Sequence, residues 1–180
     1  SLRSYLGSEN IFCMSSAAAA LEIISDLLDI KKGDEIIIPA HTYCATAIPF
    51  AKKGAKIIWA DINLKTRTID ADDVGRKISK KTKAIVIVDL YGYAVDIRPF
   101  KKFGKKIKII HDCAQSIGAN YLNKKTGILA DFACYSFHSQ KNITTLGEGG
   151  AIYVKNKKLA NAVKGLRHNG HRPYSSKRKS

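Results

Sequence analysis

Residues 35–61 read EIIIPAHTYCATAIPFAKKGAKIIWAD, and this stretch decides the fold class. Two apolar, β-rich runs, Glu35–Pro39 and Lys56–Asp61, flank a helix-like stretch, Thr42–Lys53, that ends at Gly54. Near-continuous apolar runs are typical of strands covered on both faces, and glycine is common just after a helix. A strand, a helix and a second strand in this order predict a parallel pair joined by a crossover helix.

The same alternation extends along the chain. We predict seven strands, at Ile11–Met14, Glu35–Pro39, Lys56–Asp61, Ala84–Leu90, Lys106–Asp112, Phe132–Phe137 and Ala151–Val154. We predict five helices, at Ser16–Leu28, Thr42–Lys53, Asp70–Ser79, Asp96–Phe103 and Asn156–Arg167. The predicted fold class is therefore α/β, a mostly parallel seven-stranded sheet with helices on both faces. Ligands of such sheets bind at the carboxyl ends of the strands.

Composition indicates a packed globular domain of 180 residues, of which 45% are hydrophobic. The net charge of +16 is typical either of a protein that binds nucleic acid or an anionic membrane, or of a lysine-rich solvated surface. The lysines occur as scattered pairs, without a long basic block and without interleaved aromatic residues. This pattern favours the solvated surface, so we predict neither a nucleic-acid nor a membrane partner.

The four cysteines, Cys13, Cys44, Cys113 and Cys134, form no C-x-x-C pair, and at least three lie in apolar runs. We expect buried, reduced thiols and no metal site. The chain has no long apolar stretch and no leader-like pattern, so we expect a soluble, cytoplasmic protein.

Lys141 is the first residue that could carry chemistry. It follows the apolar strand at Phe132–Phe137 and precedes the glycine-rich segment 147–150. A lysine at the end of a buried strand can attack a carbonyl carbon. The alternative is an ordinary, solvated loop lysine, which is what most lysines are.

Asp112 is the second candidate, at the end of the apolar run 106–112. A carboxylate at the mouth of an apolar strand requires a cationic or hydrogen-bonding partner. A protonated pyridine nitrogen is one such partner. The alternative is a helix cap for Cys113–Ile117, and the residues alone leave both open.

Two further features suggest a ligand site. In the segment 15–20, SSAAAA, a strand leads into an alanine-rich helix whose free N–H groups would suit a phosphate, although plain capping gives the same pattern. Tyr43 could stack on a planar ligand or simply pack in the core. We find no G-x-G-x-x-G after the first strand, no Ser-His-Asp arrangement, and no metal spacing among His111, His138 and His168.

Taken together, these segments resemble the DegT/DnrJ/EryC1/StrS family of sugar aminotransferases that use pyridoxal 5′-phosphate (PLP). The resemblance runs collinearly over nearly the whole chain. It includes GDEIIIP at 33–39, GAK at 54–56 with Asp61, KTKAI at 81–85, LYG at 90–92, HDCAQS at 111–116, SFH at 136–138 with Lys141-Asn142, GEGG at 147–150 and LRHNG at 166–170.

The resemblance implies an aspartate-aminotransferase-like (fold type I) large domain and a role for each matching residue. Lys141 would form the Schiff base with PLP and act as the catalytic acid and base. Asp112 would pair with the pyridine nitrogen, and Gln115 would reach the ring hydroxyl. The remaining cofactor contacts would come from the stacking aromatic Tyr43 and from a phosphate site formed by Ser16, Ala17, Ala18 and Ser136.

One position departs from the family pattern. The family usually carries threonine where this chain has Ala18, so one hydroxyl contact to the phosphate is lost, at a cost of about 1 kcal/mol. A sister branch of dehydratases carries histidine in place of the lysine, and Lys141 argues against that branch.

The implied function is transfer of an amino group from an amino acid, usually glutamate in the family, to a nucleotide-linked keto sugar by a homodimer. We expect residues 1–170 to form the PLP-binding large domain with an incomplete N-terminal segment. Residues 171–180 would begin the connection onward, without the C-terminal small domain. The alternative is a non-catalytic regulatory or binding protein that has the same fold.

Overall fold

The computed structural model describes residues 1–104 and 106–168. Nine strands are described: β1 (Ile11–Met14), β2 (Glu35–Pro39), β3 (Lys56–Ala60), β4 (Thr82–Val88), β5 (Lys108–Asp112), β6 (Asn120–Tyr121), β7 (Lys124–Lys125), β8 (Phe132–Ser136) and β9 (Gly150–Val154). The α-helices are α1 (Leu2–Leu6), α2 (Ala17–Leu27), α3 (Ile48–Lys52), α4 (Ala71–Lys77), α5 (Arg98–Lys101) and α6 (Lys157–Leu166), with 3-10 turns at Cys44–Thr46 and Leu90–Gly92.

Seven of the strands form one sheet in the order β1-β9-β8-β5-β4-β2-β3. The pairings among β3, β2, β4, β5 and β8 are all parallel, whereas β9 is antiparallel to both of its neighbours. The predicted mostly parallel seven-stranded sheet is thus confirmed. Because β9 runs in the opposite direction, its first residue, Gly150, lies beside the last residues of β1 and β8, Met14 and Ser136.

Helices cover both faces of the sheet, as predicted. On one face α2, α3 and α6 bury residues such as Leu21, Phe50 and Val163 against the sheet. On the other face α4 and α5 pack over one end of the sheet and α1 over the other end. Most core strand positions are fully buried, which explains why the strands have continuous apolar runs.

The predicted helix at Thr42–Lys53 is in fact two short elements, the 3-10 turn at Cys44–Thr46 and α3. Pro49 lies in the first turn of α3. Proline has no N–H to donate to the preceding turn and its ring clashes with that turn, so an interior proline kinks or breaks a helix and is better tolerated in the first turn. The same reason shortens the helix predicted at Asp96–Phe103, where Pro99 fixes the start of α5.

Two small elements have no counterpart in the prediction. Helix α1 is capped by the Ser1 hydroxyl and ends at Gly7 in the left-handed conformation. Strands β6 and β7 form a hairpin whose turn residues, Leu122 and Asn123, both have positive φ, as that tight turn requires.

The cysteine prediction is half wrong. All four cysteines are free, and Cys113 and Cys134 are buried, but Cys13 and Cys44 are exposed. Cys13 lies on the edge strand β1, and Cys44 lies in the turn that replaces the predicted helix. Within residues 1–104 and 106–168, none of the helices combines the length and the apolar character that a membrane span requires. The expected connection at 171–180 and the Asn169-Gly170 part of the family motif lie outside the described residues.

Candidate functional site

A cavity of about 790 Å³ opens at the carboxyl edge of the sheet. Its walls come from residues that are far apart in the chain and converge there because parallel strands end at the same edge. All eight of the site residues predicted from the sequence line this cavity: Ser16, Ala17, Ala18, Tyr43, Asp112, Gln115, Ser136 and Lys141. The structure therefore brings the complete predicted set together.

Asp112 ends β5 at the floor of the cavity and is only 6% exposed. Its Oδ1 accepts a hydrogen bond from the Ala114 N–H over 3.0 Å, and its Oδ2 accepts one from the Thr46 hydroxyl over 2.9 Å. The bond to Ala114 is a local turn contact, similar to the helix cap that was one of the two alternatives for Asp112. The side chain also faces the cavity, and a carboxylate with two acceptor sites per oxygen can still accept from a ligand.

Thr46 is a site residue that the sequence did not single out. Because its one hydroxyl hydrogen goes to Asp112, the 2.9 Å contact with the Thr42 hydroxyl must have Thr42 as the donor. The two threonines thus form a directed chain that ends on the carboxylate. No short-range signal points to this contact, since Thr46 and Asp112 are 66 residues apart.

The start of α2 forms one wall of the cavity. The Ser16 hydroxyl caps the helix by accepting from the Ala19 N–H over 3.1 Å, and its own hydrogen can still be donated to a ligand. The N–H groups of Ala17 and Ala18 have no acceptor within the helix, as in the first turn of any helix. Gly150 is packed against this turn, because a Cβ built on it would lie only 2.7 Å from the Ala17 nitrogen.

Lys141 lies, half-buried, in the excursion between β8 and β9. Its backbone N–H donates to the His138 carbonyl over 2.9 Å, and the neighbouring Asn142 side chain donates to the Ile117 carbonyl over 2.9 Å. The Asn142 contact ties the lysine segment to the segment that follows Asp112. Lys141 is thus fixed on both sides of its backbone while its side chain faces the cavity.

The base of this excursion is closed by His138 and Glu148, which also line the cavity. His138 Nδ1 accepts from the Gln140 N–H over 3.2 Å, so Nε2 carries the hydrogen that faces Glu148 Oε1 at 3.4 Å. The sequence motif included His138 without giving it a role, and the structure places its ring beside Glu148 across the base of the loop.

Gln115 is oriented by a backbone group. Its Oε1 accepts from the Tyr91 N–H over 2.7 Å, so its NH₂ group is the end left to face a ligand. Tyr91 has a left-handed backbone with φ of 57°, a conformation that is uncommon for residues other than glycine. Tyr43 is 71% exposed, so the core-packing interpretation of this residue is wrong and its ring is accessible to a ligand.

A second polar cluster lies just outside the cavity wall, in the buried interior. The ligand atoms of Asp89, His111 and Cys113 lie within 4.8 Å of one another. Both Asp89 oxygens already accept hydrogen bonds, from His111 Nε2 at 2.7 Å and from the Ser116 hydroxyl at 2.8 Å. We therefore assign a hydrogen-bond network here rather than a metal centre. Ser116 donates to the aspartate and not to the histidine, so the cluster is not a nucleophilic Ser-His-Asp triad either.

The chemistry of the cavity fits PLP. The volume lies in the range of small-molecule sites. The first turn of α2 offers N–H groups and a hydroxyl to a phosphate, and the Asp112 carboxylate can hold a protonated ring nitrogen. An amide NH₂, an accessible aromatic ring and a lysine complete the set of groups that such a cofactor requires.

Comparison with known proteins agrees with this geometry. The family model described as "DegT/DnrJ/EryC1/StrS aminotransferase family" matches residues 1–180. The chain is 36% identical over 171 residues to UDP-2-acetamido-2-deoxy-3-oxo-D-glucuronate aminotransferase of Pseudomonas aeruginosa, covering 94% of this chain and 48% of the relative. It is 37% identical over 176 residues to dTDP-3-amino-3,6-dideoxy-alpha-D-galactopyranose transaminase of Aneurinibacillus thermoaerophilus, covering 96% and 48%.

A solved structure, E. coli GDP-4-keto-6-deoxy-D-mannose-3-dehydratase with bound hydrated PLP, superposes with a TM-score of 0.86 at 28% identity. The match covers 92% of this chain and 44% of that one. The chain thus spans about half the length of the curated relatives it matches.

The sheet order, the single antiparallel strand and the lysine and aspartate at the carboxyl edge define a large domain of fold type I, the aspartate-aminotransferase type. Within that class, the chain belongs to the DegT/DnrJ/EryC1/StrS aminotransferase family.

Proposed function

We propose that this chain forms the cofactor-binding part of a PLP-dependent aminotransferase that acts on a nucleotide-linked keto sugar. The observation that carries the proposal is the convergence of Lys141, Asp112, Gln115 and the start of α2 on one cavity. Support comes from the family and from the two curated relatives, which are named as a sugar-nucleotide aminotransferase and transaminase.

Bound PLP would supply an electron sink for the carbon that bears the amino group. Lys141 Nζ would hold the cofactor covalently. Once released from that bond, the same amine would take a proton from the substrate carbon and return it elsewhere as a general acid. Lysine suits this role because its flexible stem can move a proton between two positions while its backbone stays fixed.

Asp112 would hold the proton on the ring nitrogen. Its position at the end of an apolar strand strengthens that interaction, because charges attract more strongly where water is excluded. The hydroxyl of Thr46 and the N–H of Ala114 keep the carboxylate in one orientation. Gln115 would donate to the ring hydroxyl through the NH₂ group that its contact with Tyr91 leaves free.

The phosphate would lie against the first turn of α2, with hydroxyl donors from Ser16 and Ser136. Ser136 is buried at the end of β8. Among residues 1–104 and 106–168, its hydroxyl oxygen has only a long, 3.4 Å contact with the His138 N–H, so its hydrogen can be donated to a ligand. Ala17 and Ala18 would contribute backbone N–H groups. Tyr43 would cover one face of the ring.

The amino donor would be an amino acid, with glutamate as the first choice, and the acceptor a nucleotide-linked keto sugar. We place the large domain at residues 1–170 and propose a homodimer as the working assembly. Lys141 favours amino transfer over the dehydration carried out by the sister branch.

Reduction with borohydride tests the proposal. The complete protein is incubated with PLP, reduced and mapped by peptide mass, alongside Lys141→Ala and, as a matched control, Lys124→Ala in the β6–β7 hairpin. We expect a pyridoxyl adduct on Lys141 alone, retained in Lys124→Ala and lost in Lys141→Ala. A folded wild-type protein without that adduct would overturn the cofactor assignment.

A second measurement separates an enzyme from a regulatory protein with the same fold. Glutamate is added to the PLP-loaded protein, and released 2-oxoglutarate is quantified against Lys141→Ala. About one equivalent per site supports the aminotransferase. A loaded protein that releases none favours the non-catalytic alternative.

A further inference from the structure

Asp89 is the most deeply buried carboxylate among the described residues, with 0% exposure. It follows β4 directly, and its N–H donates to the Asp112 carbonyl over 3.0 Å. Its Oδ1 accepts from the Val95 N–H at 2.8 Å and from His111 Nε2 at 2.7 Å, and its Oδ2 accepts from the Ser116 hydroxyl at 2.8 Å. One side chain therefore connects the segment 90–95 to β5 and to the turn that follows β5.

The hydrogen bonds fix the protonation of this pair. His111 Nδ1 accepts from the Gly127 N–H over 3.2 Å, so that nitrogen has no hydrogen and Nε2 must carry one. Nε2 then donates to Asp89, which leaves a neutral imidazole beside an ionised carboxylate. A buried carboxylate is tolerated only with several donors, and Asp89 has them from both backbone and side chains.

Burial also keeps the neighbouring thiol in its neutral form. The pKa of Cys113 is raised well above its ordinary value, first by burial and then by the negative charge of Asp89. Its thiol lies 3.9 Å from Asp89 Oδ2 and adds a weak donor. The negative charge of the cluster thus stays on Asp89.

The two segments that Asp89 clamps are those that meet at Gln115. Tyr91, whose N–H holds the Gln115 amide, lies two residues after Asp89, and Val95 anchors the far end of that segment. Gln115 itself immediately precedes Ser116, the other residue bound by Asp89. The Asp89 carboxylate therefore binds both of the segments that form the Tyr91–Gln115 contact.

We propose that Asp89 is a positioning residue for Gln115: it holds segments 90–95 and 113–117 together, so that the Gln115 NH₂ group points into the cavity. The effect on a cofactor rests on the proposed function, whereas the clamp itself is a property of the cofactor-free protein.

Hydrogen exchange in the complete, cofactor-free protein tests the clamp. Ser116→Ala removes one bond to Asp89 but leaves Tyr91, Gln115 and the other Asp89 donors in place. We expect it to accelerate exchange of the Tyr91 N–H by about tenfold, the equivalent of one lost hydrogen bond. Asp89→Asn should accelerate exchange of both the Tyr91 and the Val95 N–H. Combining Ser116→Ala with Asp89→Asn should exchange the Tyr91 N–H little faster than Asp89→Asn alone, because both changes break the same contact.

Asp131→Asn is the matched control, because Asp131 Oδ2 also accepts from a strand N–H, that of Ile109. This contact lies near the amino-terminal end of β5, away from the cavity. The control variant should accelerate Ile109 and leave Tyr91 unchanged. Unchanged exchange at Tyr91 in Ser116→Ala and in Asp89→Asn would overturn the proposal. So would equal acceleration at Tyr91 by Asp131→Asn.

A parallel PLP titration distinguishes the two proposals. We expect Ser116→Ala to raise the Kd for PLP severalfold while the Lys141 adduct still forms. If wild type takes up no PLP, the proposed function fails and the exchange data still decide the clamp. If wild type binds PLP and Ser116→Ala binds it equally tightly, the proposed role of Asp89 toward the cofactor is wrong.

Discussion

Thr46 donates its hydroxyl hydrogen to Asp112 Oδ2 over 2.9 Å in the buried floor of the cavity. The 3-10 turn that carries Thr46 begins immediately after Tyr43. One turn therefore both orients the Asp112 carboxylate, which would face the ring nitrogen of the cofactor, and positions the aromatic ring that would cover it.

Replacing Thr46 with valine should weaken the site without changing its shape. The variant removes the hydroxyl donor to a buried carboxylate, so we expect a loss of about 2 kcal/mol in the free energy of unfolding and about a tenfold rise in the Kd for PLP. Urea denaturation and fluorescence titration measure the two effects. Thr46→Ser keeps the hydroxyl and should stay close to wild type in Kd; equal weakening by serine would show that the methyl group, not the hydrogen bond, matters.

Replacing Gly150 with alanine should displace the start of α2. The added Cβ would lie 2.7 Å from both the Ala17 nitrogen and the Ser16 oxygen, and backbone at that distance must move. We expect at least about a tenfold loss of PLP affinity and about 1–3 kcal/mol of destabilisation. Gly147→Ala is the control, since a Cβ added at Gly147 would have nothing within 4 Å. If both variants bind PLP as wild type does, the first turn of α2 is not part of the phosphate site.

Restoring the family's threonine at position 18 should strengthen cofactor binding. Ala18→Thr adds a hydroxyl beside two free N–H groups, and one such contact is equivalent to about a fivefold lower Kd for PLP. Ala18→Val has the same shape without the hydroxyl and should give no gain. An equally lowered Kd for PLP in Ala18→Val would show that the effect comes from packing and not from the hydroxyl.

The lowered pKa of the Asp73 carboxyl leads us to predict that the free energy of unfolding depends on pH, independently of the cavity. Hydrogen bonds from Lys77, from the Asp61 N–H and from Arg76 lower the pKa of this carboxyl to about 2 in the folded protein. A carboxyl whose pKa is lowered on folding stabilises the protein above its unfolded pKa of about 4, and that stability is lost as the pH falls toward 2.

The measurement is urea denaturation between pH 6 and pH 3. Asp73→Asn should be less stable than wild type at pH 6, and the difference should shrink as the pH falls below about 4. Asp72→Asn, which removes an exposed carboxylate 3.9 Å from Lys102, serves as the control and should change stability little at either pH. A difference for Asp73→Asn that is constant over this range would contradict the assigned pKa.

The sheet could be predicted from the sequence because its strands are buried on both faces and therefore have continuous apolar runs. The start of β4 at Thr82 was missed because the polar residues Thr82 and Lys83 precede the apolar run that begins at Ala84. The prediction of one helix over 42–53 failed at Pro49, although this proline is visible in the sequence. The β6–β7 hairpin has only two residues in each strand, too few for any periodicity.

The site residues could be named because they occur in short collinear motifs, and the structure brings all of them to one cavity. The roles of Thr46 and Asp89 were not predicted, for different reasons. Thr46 depends on a contact between distant segments. Asp89 was included in the predicted strand at Ala84–Leu90, where a carboxylate inside an apolar run signals a buried, hydrogen-bonded acid.

Strand β1 pairs only with β9 within the sheet, Ile11 opposite Tyr153, although the two strands are separated by more than a hundred residues of chain. During synthesis β1 and α2 leave the ribosome before β2–β9, but the edge on which they close does not exist until residue 154 has emerged. Contacts between such distant segments form slowly, because closing the long loop between them costs entropy. The apolar face of α2 therefore lacks its contacts with β8 and β9 while the intervening strands are made, and the cavity wall that α2 forms is complete only after β9 has emerged.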